Sequence, residues 1–285
     1  MLISLKDVTH IYEQQPPVTA LNKINLEISR ESFIGLVGAT GSGKSTLVQL
    51  LNGLLKPTEG QVVIAGIDLS DDKSDLKKIR QQVGLVFQYP EHQLFEENIY
   101  REVAFGPKNL GFAEEEVNQR VEKALDLVGL KFDNDKERSP FNLSGGQQRK
   151  VALAGVLAMQ PKVLILDEPF AGLDPAGREQ ITQLLKKLHQ EQKITVILIS
   201  HRMEEIARLA DRVVVLKNGE IALQGGPREV FAQREKLLEL SLDIPEITSI
   251  LYQLKEKGLD VRTDIFSVSQ AAEEIKEKLR SSSSC

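Results

Sequence analysis

Phe33-Ile34-Gly35-Leu36-Val37-Gly38-Ala39-Thr40-Gly41-Ser42-Gly43-Lys44-Ser45-Thr46-Leu47-Val48-Gln49-Leu50-Leu51 passes from a continuous apolar run, through a glycine-rich loop, into a helical pattern. A short run apolar on both faces predicts a strand buried inside a sheet. The loop fits the glycine-rich phosphate-binding pattern, in the strand-to-helix context that pattern requires. Its glycines let successive backbone N–H groups converge on phosphate oxygens, and the helix start adds a positive dipole end. Lys44 is expected to reach the β- and γ-phosphates, and the Ser45 hydroxyl to ligate Mg²⁺. Gly38, Ala39, Thr40, Gly41, Ser42, Gly43, Lys44, Ser45 and Thr46 are therefore candidate nucleotide-binding residues.

Working outward, Ile24, Leu26 and Ile28 alternate as half-buried antiparallel strands do, and Gln61–Ala65 reads as another strand behind the turn Pro57-Thr58-Glu59-Gly60. Between about residues 90 and 145 the period becomes helical: Val117, Val121, Leu125 and Val128 share a face, with Glu114, Glu115 and Glu116 at the favourable N-terminal end. This segment is expected to be a helical insertion. Val163–Leu166 and Thr195–Ile199 read as buried parallel strands, separated by a helix through Ile181, Leu184, Leu185 and Leu188. Val213–Leu216 runs into a hairpin turn at Lys217-Asn218-Gly219-Glu220. The strand Val163–Leu166 ends in Asp167-Glu168, and the C-terminal end of a buried strand opens into the crevice where α/β sheets bind ligands. Asp167 is expected to hold the Mg²⁺ shell, and Glu168 to polarise a water for attack on the γ-phosphate.

The expected fold is α/β: a phosphate-loop NTPase core with an antiparallel β subdomain, a helical insertion and a small C-terminal helical extension. Residues 1–226 form the nucleotide-binding domain on this reading, residues 227–280 the extension, and the low-complexity tail 281–285 is expected to be disordered. The chain has 285 residues, 41% hydrophobic and 27% charged, with a net charge of -5. That balance argues for a folded globular chain and against a broad nucleic-acid surface. No apolar run approaches the ~20 residues that span a bilayer, and Met1–Asp7 does not read as a signal peptide. The one cysteine, Cys285, permits no internal disulfide and suits a reducing compartment.

Leu143-Ser144-Gly145-Gly146-Gln147 is identical to the signature of the ATP-binding cassette (ABC) ATPases, and roughly residues 1–225 resemble that family throughout. Tyr12, Gln88, Ala171-Gly172-Leu173-Asp174 and His201 match its remaining marks in order. The resemblance implies a head-to-tail pair of ATPases, each ATP held between one chain's phosphate loop and the other's Ser144, Gly145, Gly146 and Gln147. It further implies that Tyr12 stacks on adenine and that Gln88 contacts Mg²⁺ or the water. His201 would steady Glu168 and the γ-phosphate, and Asp174 the dimer seam.

Gln88-Tyr89-Pro90-Glu91-His92-Gln93-Leu94-Phe95, Val103–Asn109 and Ser139-Pro140-Phe141-Asn142 resemble the ATPases of energy-coupling factor (ECF) transporters, as does the helical extension. Gly155 stands where many other ABC importers carry arginine, and Phe170 where the family commonly has threonine; the latter reads as a packing change. The resemblance implies a second ATPase, identical or paralogous, beneath a membrane T component joined by a substrate-binding S component. It implies uptake of a vitamin or metal ion from the cytoplasmic face of the membrane. Glu91, Glu96 and Glu97 would line the groove that takes the T component. A conventional ABC importer ATPase and a soluble non-transport ABC protein are the alternatives. No nucleic-acid partner is expected.

Overall fold

The computed structural model describes residues 1–71 and 74–282. Its strands are β1 (Ile3–Tyr12), β2 (Val18–Ile28), β3 (Phe33–Gly38), β4 (Glu59–Ile64), β5 (Ile67–Asp68), β6 (Val83–Val86), β7 (Val163–Asp167), β8 (Thr195–Ile199), β9 (Arg212–Lys217) and β10 (Glu220–Gly225). They form two sheets. β2-β1-β4-β5 is antiparallel, and β10-β9-β3-β8-β7-β6 is parallel apart from its β9–β10 hairpin. The two sequence patterns sort accordingly. Ile24, Leu26 and Ile28 of alternating β2 point into the core, whereas every residue of β3 is buried.

The helices are α1 (Lys44–Leu51), α2 (Leu76–Gln82), α3 (Ile99–Leu110), α4 (Glu114–Leu127), α5 (Phe132–Asp135), α6 (Gly145–Leu157), α7 (Pro175–Gln190), α8 (Met203–Leu209), α9 (Pro227–Phe231), α10 (Arg234–Glu239), α11 (Glu246–Glu256) and α12 (Val268–Ser282), with 3-10 turns at Pro90–Gln93 and Pro140–Asn142. Helix α4 buries Val117, Val121, Ala124 and Leu125, and its first turn holds three glutamates against the dipole. Helix α7 buries Ile181, Leu184, Leu185 and Leu188. Phe170 is 2% exposed and lies in the core shared by α3, α4, α6 and α7, in keeping with a packing change at that position.

The parallel register brings strand ends together. Asp167 of β7 lies opposite Ile199 of β8, so Glu168, Ser200 and His201 all leave the sheet at one edge. Gly38 at the end of β3 and Val86 at the end of β6 open onto that same edge. After the hairpin come α9, which packs on β9, β10 and α8, and α10. α11 and α12 then enclose a separate small core of Leu251, Val261, Ile265 and Ala271. Helix α12 continues through Ser281 and Ser282, which corrects the expected disordered tail at those two positions: the amphipathic pattern ahead of them carries the helix on. The rest of that tail, residues 283–285, lies outside the described residues.

Gly84 of β6 shows how close α6 comes to the sheet. A Cβ there would lie 2.4 Å from Cγ1 of Val156, a side chain with little freedom to move aside. Gly84→Ala is expected to cost about 1–3 kcal/mol by overpacking. Thermal unfolding should show it as a Tm lowered by several degrees, and an unchanged Tm would mean that β6 and α6 pack less tightly.

Candidate functional site

The phosphate loop is pinned from behind by main-chain bonds. Ser42 O accepts from the amide of Gly219 in the β9–β10 turn (3.0 Å), and Gly219 O accepts from Asn22 of β2 (2.8 Å). Gly43, which opens α1, has φ 105°, and a Cβ there would lie 2.6 Å from the carbonyl oxygen of Ala20. Only glycine satisfies both conditions. Inside the loop the Lys44 ammonium donates to the carbonyls of Gly38 (2.6 Å) and Ala39 (2.9 Å). The Ser42 hydroxyl is buried without a partner, while Gly41 faces open space. A loop with an orphaned buried hydroxyl, a folded-back cation and room above it is built for an anion.

Facing Lys44 are the two acids at the end of β7. Glu168 sits at φ 49°, an uncommon backbone state for a non-glycine residue and one that concentrates at functional sites. Its amide donates to Ile199 O (2.9 Å), and its carbonyl accepts from Ala171 (3.1 Å). Its Oε1 is buried without a hydrogen bond; His201 Nε2 stands 3.6 Å away, beyond bonding distance. Burial raises the pKa of both acids. For Asp167 the charges of Lys44 and His201 offset part of the rise, and for Glu168 His201 does the same by charge and by a main-chain hydrogen bond. Burial also lowers the pKa of Lys44, against the pull of Glu168 and Asp167. All three groups are thus short of compensation, as a site awaiting a polyanion and a cation would be.

The other expected residues fall around this centre in different ways. The Tyr12 hydroxyl lies 3.2 Å from Thr46 Oγ1, and the ring meets His10 edge-on at 4.8 Å, so Tyr12 borders α1. His10 is itself structural, its Nδ1 at 2.9 Å from Lys56 O. Gln88 is exposed, just past β6. Asp174 caps α7 by accepting from the Gly177 amide (2.7 Å), a local task that the sequence reading did not assign it. Ser144 and Gln147 form a capping box at the start of α6, leaving Ser144, Gly145 and Gly146 exposed. Helix α6 packs on α3, α4 and β6, whereas α1 packs on β2 and β3, so loop and signature belong to different faces of the chain.

Glu91, Glu96 and Glu97 do not share one groove wall. A groove of about 610 Å³ runs between the turn after β6, α3 and α6, lined by Leu94, Phe95, Glu102, Phe105 and Val156 among others. Glu91, Glu96 and Glu97 are not on its wall. Glu91 turns inward to Arg149, Glu97 pairs with Arg101, and the Glu96 amide donates to Glu102. Exposed Phe95 and Phe105 meet edge-to-face at 4.9 Å and make the groove apolar. The buried Arg149 was missed because nothing in its local sequence marks it.

Sheet, loop and paired acids define a phosphate-loop NTPase. Residues 21–171 match the ABC transporter family model. The energy-coupling factor transporter ATP-binding protein EcfA2 of Clostridium perfringens (strain 13 / Type A) is 50% identical over 282 residues, 98% of this chain and 99% of the relative. The solved structure of cbiO1 from Clostridium perfringens, described as part of the ABC transporter complex cbiONQ, is similar with TM-score 0.73 at 39% identity, covering 88% of this chain and 98% of that one. A dimeric ATP-binding cassette in a post-hydrolysis state with ADP and Pi gives TM-score 0.69 at 33% identity, covering 79% of this chain and 99% of that one. The chain belongs to the ABC transporter family, among its energy-coupling factor transporter ATP-binding proteins. Its activity is ATP hydrolysis coupled to transport.

The raised acid pKa values fix a sign. A carboxyl whose folded pKa exceeds its unfolded one costs stability once pH rises past the unfolded value, and costs nothing when both states are protonated. Without nucleotide, Glu168→Gln should therefore melt about 1–3 °C above wild type near neutral pH. The gain should shrink as pH falls toward the ordinary carboxylate range. Differential scanning across that range checks it, and a lower Tm for the variant at neutral pH would contradict the desolvation account.

Proposed function

We propose that the chain hydrolyses ATP in a head-to-tail pair with a second ABC ATPase and so powers uptake through membrane partners. One observation carries this reading: Lys44, Asp167 and Glu168 are gathered at one edge with too little compensation, while the exposed start of the signature helix lies on another face. A second chain would supply the missing face. Amides of Gly38 to Thr46 and the Lys44 ammonium would hold the phosphates, and Tyr12, beside Thr46, would stack on the base. Ser45, Asp167 and Gln88 would hold Mg²⁺, whose chemistry is to neutralise charge on the phosphate oxygens. Glu168 would take the proton from the attacking water, and its burial raises the pKa in the direction that strengthens a base. His201 would steady that carboxylate through its main-chain hydrogen bond, leaving its ring for the γ-phosphate. Ser144, Gly145, Gly146 and Gln147 would present a helix N-terminus to the partner's nucleotide, and Asp174 would shape the seam through its cap on α7.

The apolar groove beside Phe95 and Phe105 is the site we assign to a membrane T component. Among the described residues no helix is long and apolar enough to cross a membrane. The chain would work at the cytoplasmic face, with passage supplied by its membrane partners. An S component would choose the cargo, a vitamin or metal ion.

Glu168→Gln should bind ATP, accumulate as an ATP-bound dimer and lose hydrolysis by about 10²–10⁴-fold. Lys44→Ala should lose nucleotide binding itself. Near-normal phosphate release by the Gln variant would remove Glu168 from the role of base. For the groove, Phe105→Glu should leave ATP affinity unchanged yet abolish detergent co-purification with the membrane partner. Retained co-purification would move the docking site elsewhere.

A further inference from the structure

Arg149 follows the signature on α6, and its side chain is only 7% exposed. Every nitrogen of its guanidinium is engaged. Nε and Nη2 donate to the two carboxylate oxygens of Glu91 (3.1 and 2.8 Å), while Nη1 donates to the carbonyls of Pro169 (3.1 Å) and Ala171 (2.9 Å). A planar, always-charged fork is the one side chain that can serve a carboxylate and two carbonyls at once. Three separate segments therefore meet on it: the 3-10 turn after Gln88, the turn after Glu168, and the helix that carries the signature.

Ala171 passes the constraint on. Its carbonyl accepts from Arg149, while its amide donates to the carbonyl of Glu168 (3.1 Å), the residue held at φ 49° with an unbonded Oε1. A shift of the Arg149 fork is thus a shift of the Glu168 backbone. Pro90 and Leu94, on either side of Glu91, line the apolar groove together with Ala152 and Val156 of α6. Burial of Glu91 acts to raise its pKa, and the hydrogen bonds and charge of Arg149 outweigh it, holding the carboxyl below its ordinary value and keeping the pair ionised.

We propose that Arg149 is a positioning residue for hydrolysis, locking the turns after Gln88 and Glu168 onto the signature helix so that the groove and both faces of the nucleotide site move as one body. The proposal rests on Glu168 being the base. Arg149 touches neither the phosphate loop nor Tyr12, so its loss should act on turnover and spare ATP binding.

The test uses the full chain co-purified with its partner ATPase and membrane partners, with wild-type turnover as the control for the underlying reading. If wild type does not hydrolyse ATP, the assignment of the site fails; every outcome below presupposes that it does. Arg149→Met should lower kcat about 10–100-fold, the scale of a misplaced catalytic group, with KM for ATP little changed. It also strands a buried carboxylate, which by itself destabilises. The double variant Arg149→Met/Glu91→Gln removes that charge and should recover the Tm while kcat stays low, because the carbonyls of Pro169 and Ala171 still lack their donor. Recovery of Tm and kcat together would reduce Arg149 to a structural strut and overturn the proposal, as would wild-type kcat in Arg149→Met. If the double variant does not fold, Arg149→Lys decides. An ammonium can hold some of these partners but not all, so kcat should be intermediate at unchanged KM, and full wild-type kcat would overturn the proposal.

Discussion

Three charged groups meet at the C-terminal edge of the parallel sheet, and none of them is fully answered by the protein. Lys44 folds back onto the carbonyls of its own loop, Asp167 and Glu168 are largely withdrawn from water, and the His201 ring stands too far from Glu168 Oε1 to bond. Burying charge without a close partner is expensive, so the rest of the fold must hold this edge in place against its own tendency to relax. The buried strands β3 and β8 and the apolar run of β7 do so from below, and the Ser42–Gly219–Asn22 main-chain chain does so from behind. The arrangement trades stability for readiness, as preorganised sites do.

Much of this centre was legible because the signals are local. A phosphate loop needs glycines at set places between a strand and a helix, and the 2.6 Å clearance at Gly43 shows why a side chain there would be strained. Two acids at the end of an apolar run predicted their own position, since strand ends deliver side chains to one crevice. The capping tasks of Ser144 with Gln147 and of Asp174 ahead of Pro175 also follow local patterns that can be read from sequence. They were passed over because the resemblance offered those residues a different task.

The rest was not legible, for a physical reason. Arg149 and Glu91 lie 58 positions apart, and no periodicity links a residue on a helix to one in a 3-10 turn. Glu91 read as one of several groove acids because sequence shows charge without direction; folding turns it inward and leaves the groove to Phe95 and Phe105. Likewise the serines at the chain's end look like a loose tail by composition, yet the helix that Ala271 anchors carries two of them. Long-range charge pairing is decided by tertiary packing.

The small core of Leu251, Val261, Ile265 and Ala271 has a consequence of another kind. It is closed by its own bond, Thr248 to the carbonyl of Ile265 (2.9 Å), and meets the main body through Phe231 against Phe266 at 5.7 Å, the Glu246 amide on Glu204, and the ion pairs Arg228–Asp264 and Arg234–Glu256. Sites that share no partners behave additively. None of these contacts reaches Lys44, Asp167 or Glu168, so substitutions in this appendix add to, rather than couple with, those at the sheet edge where ATP is handled.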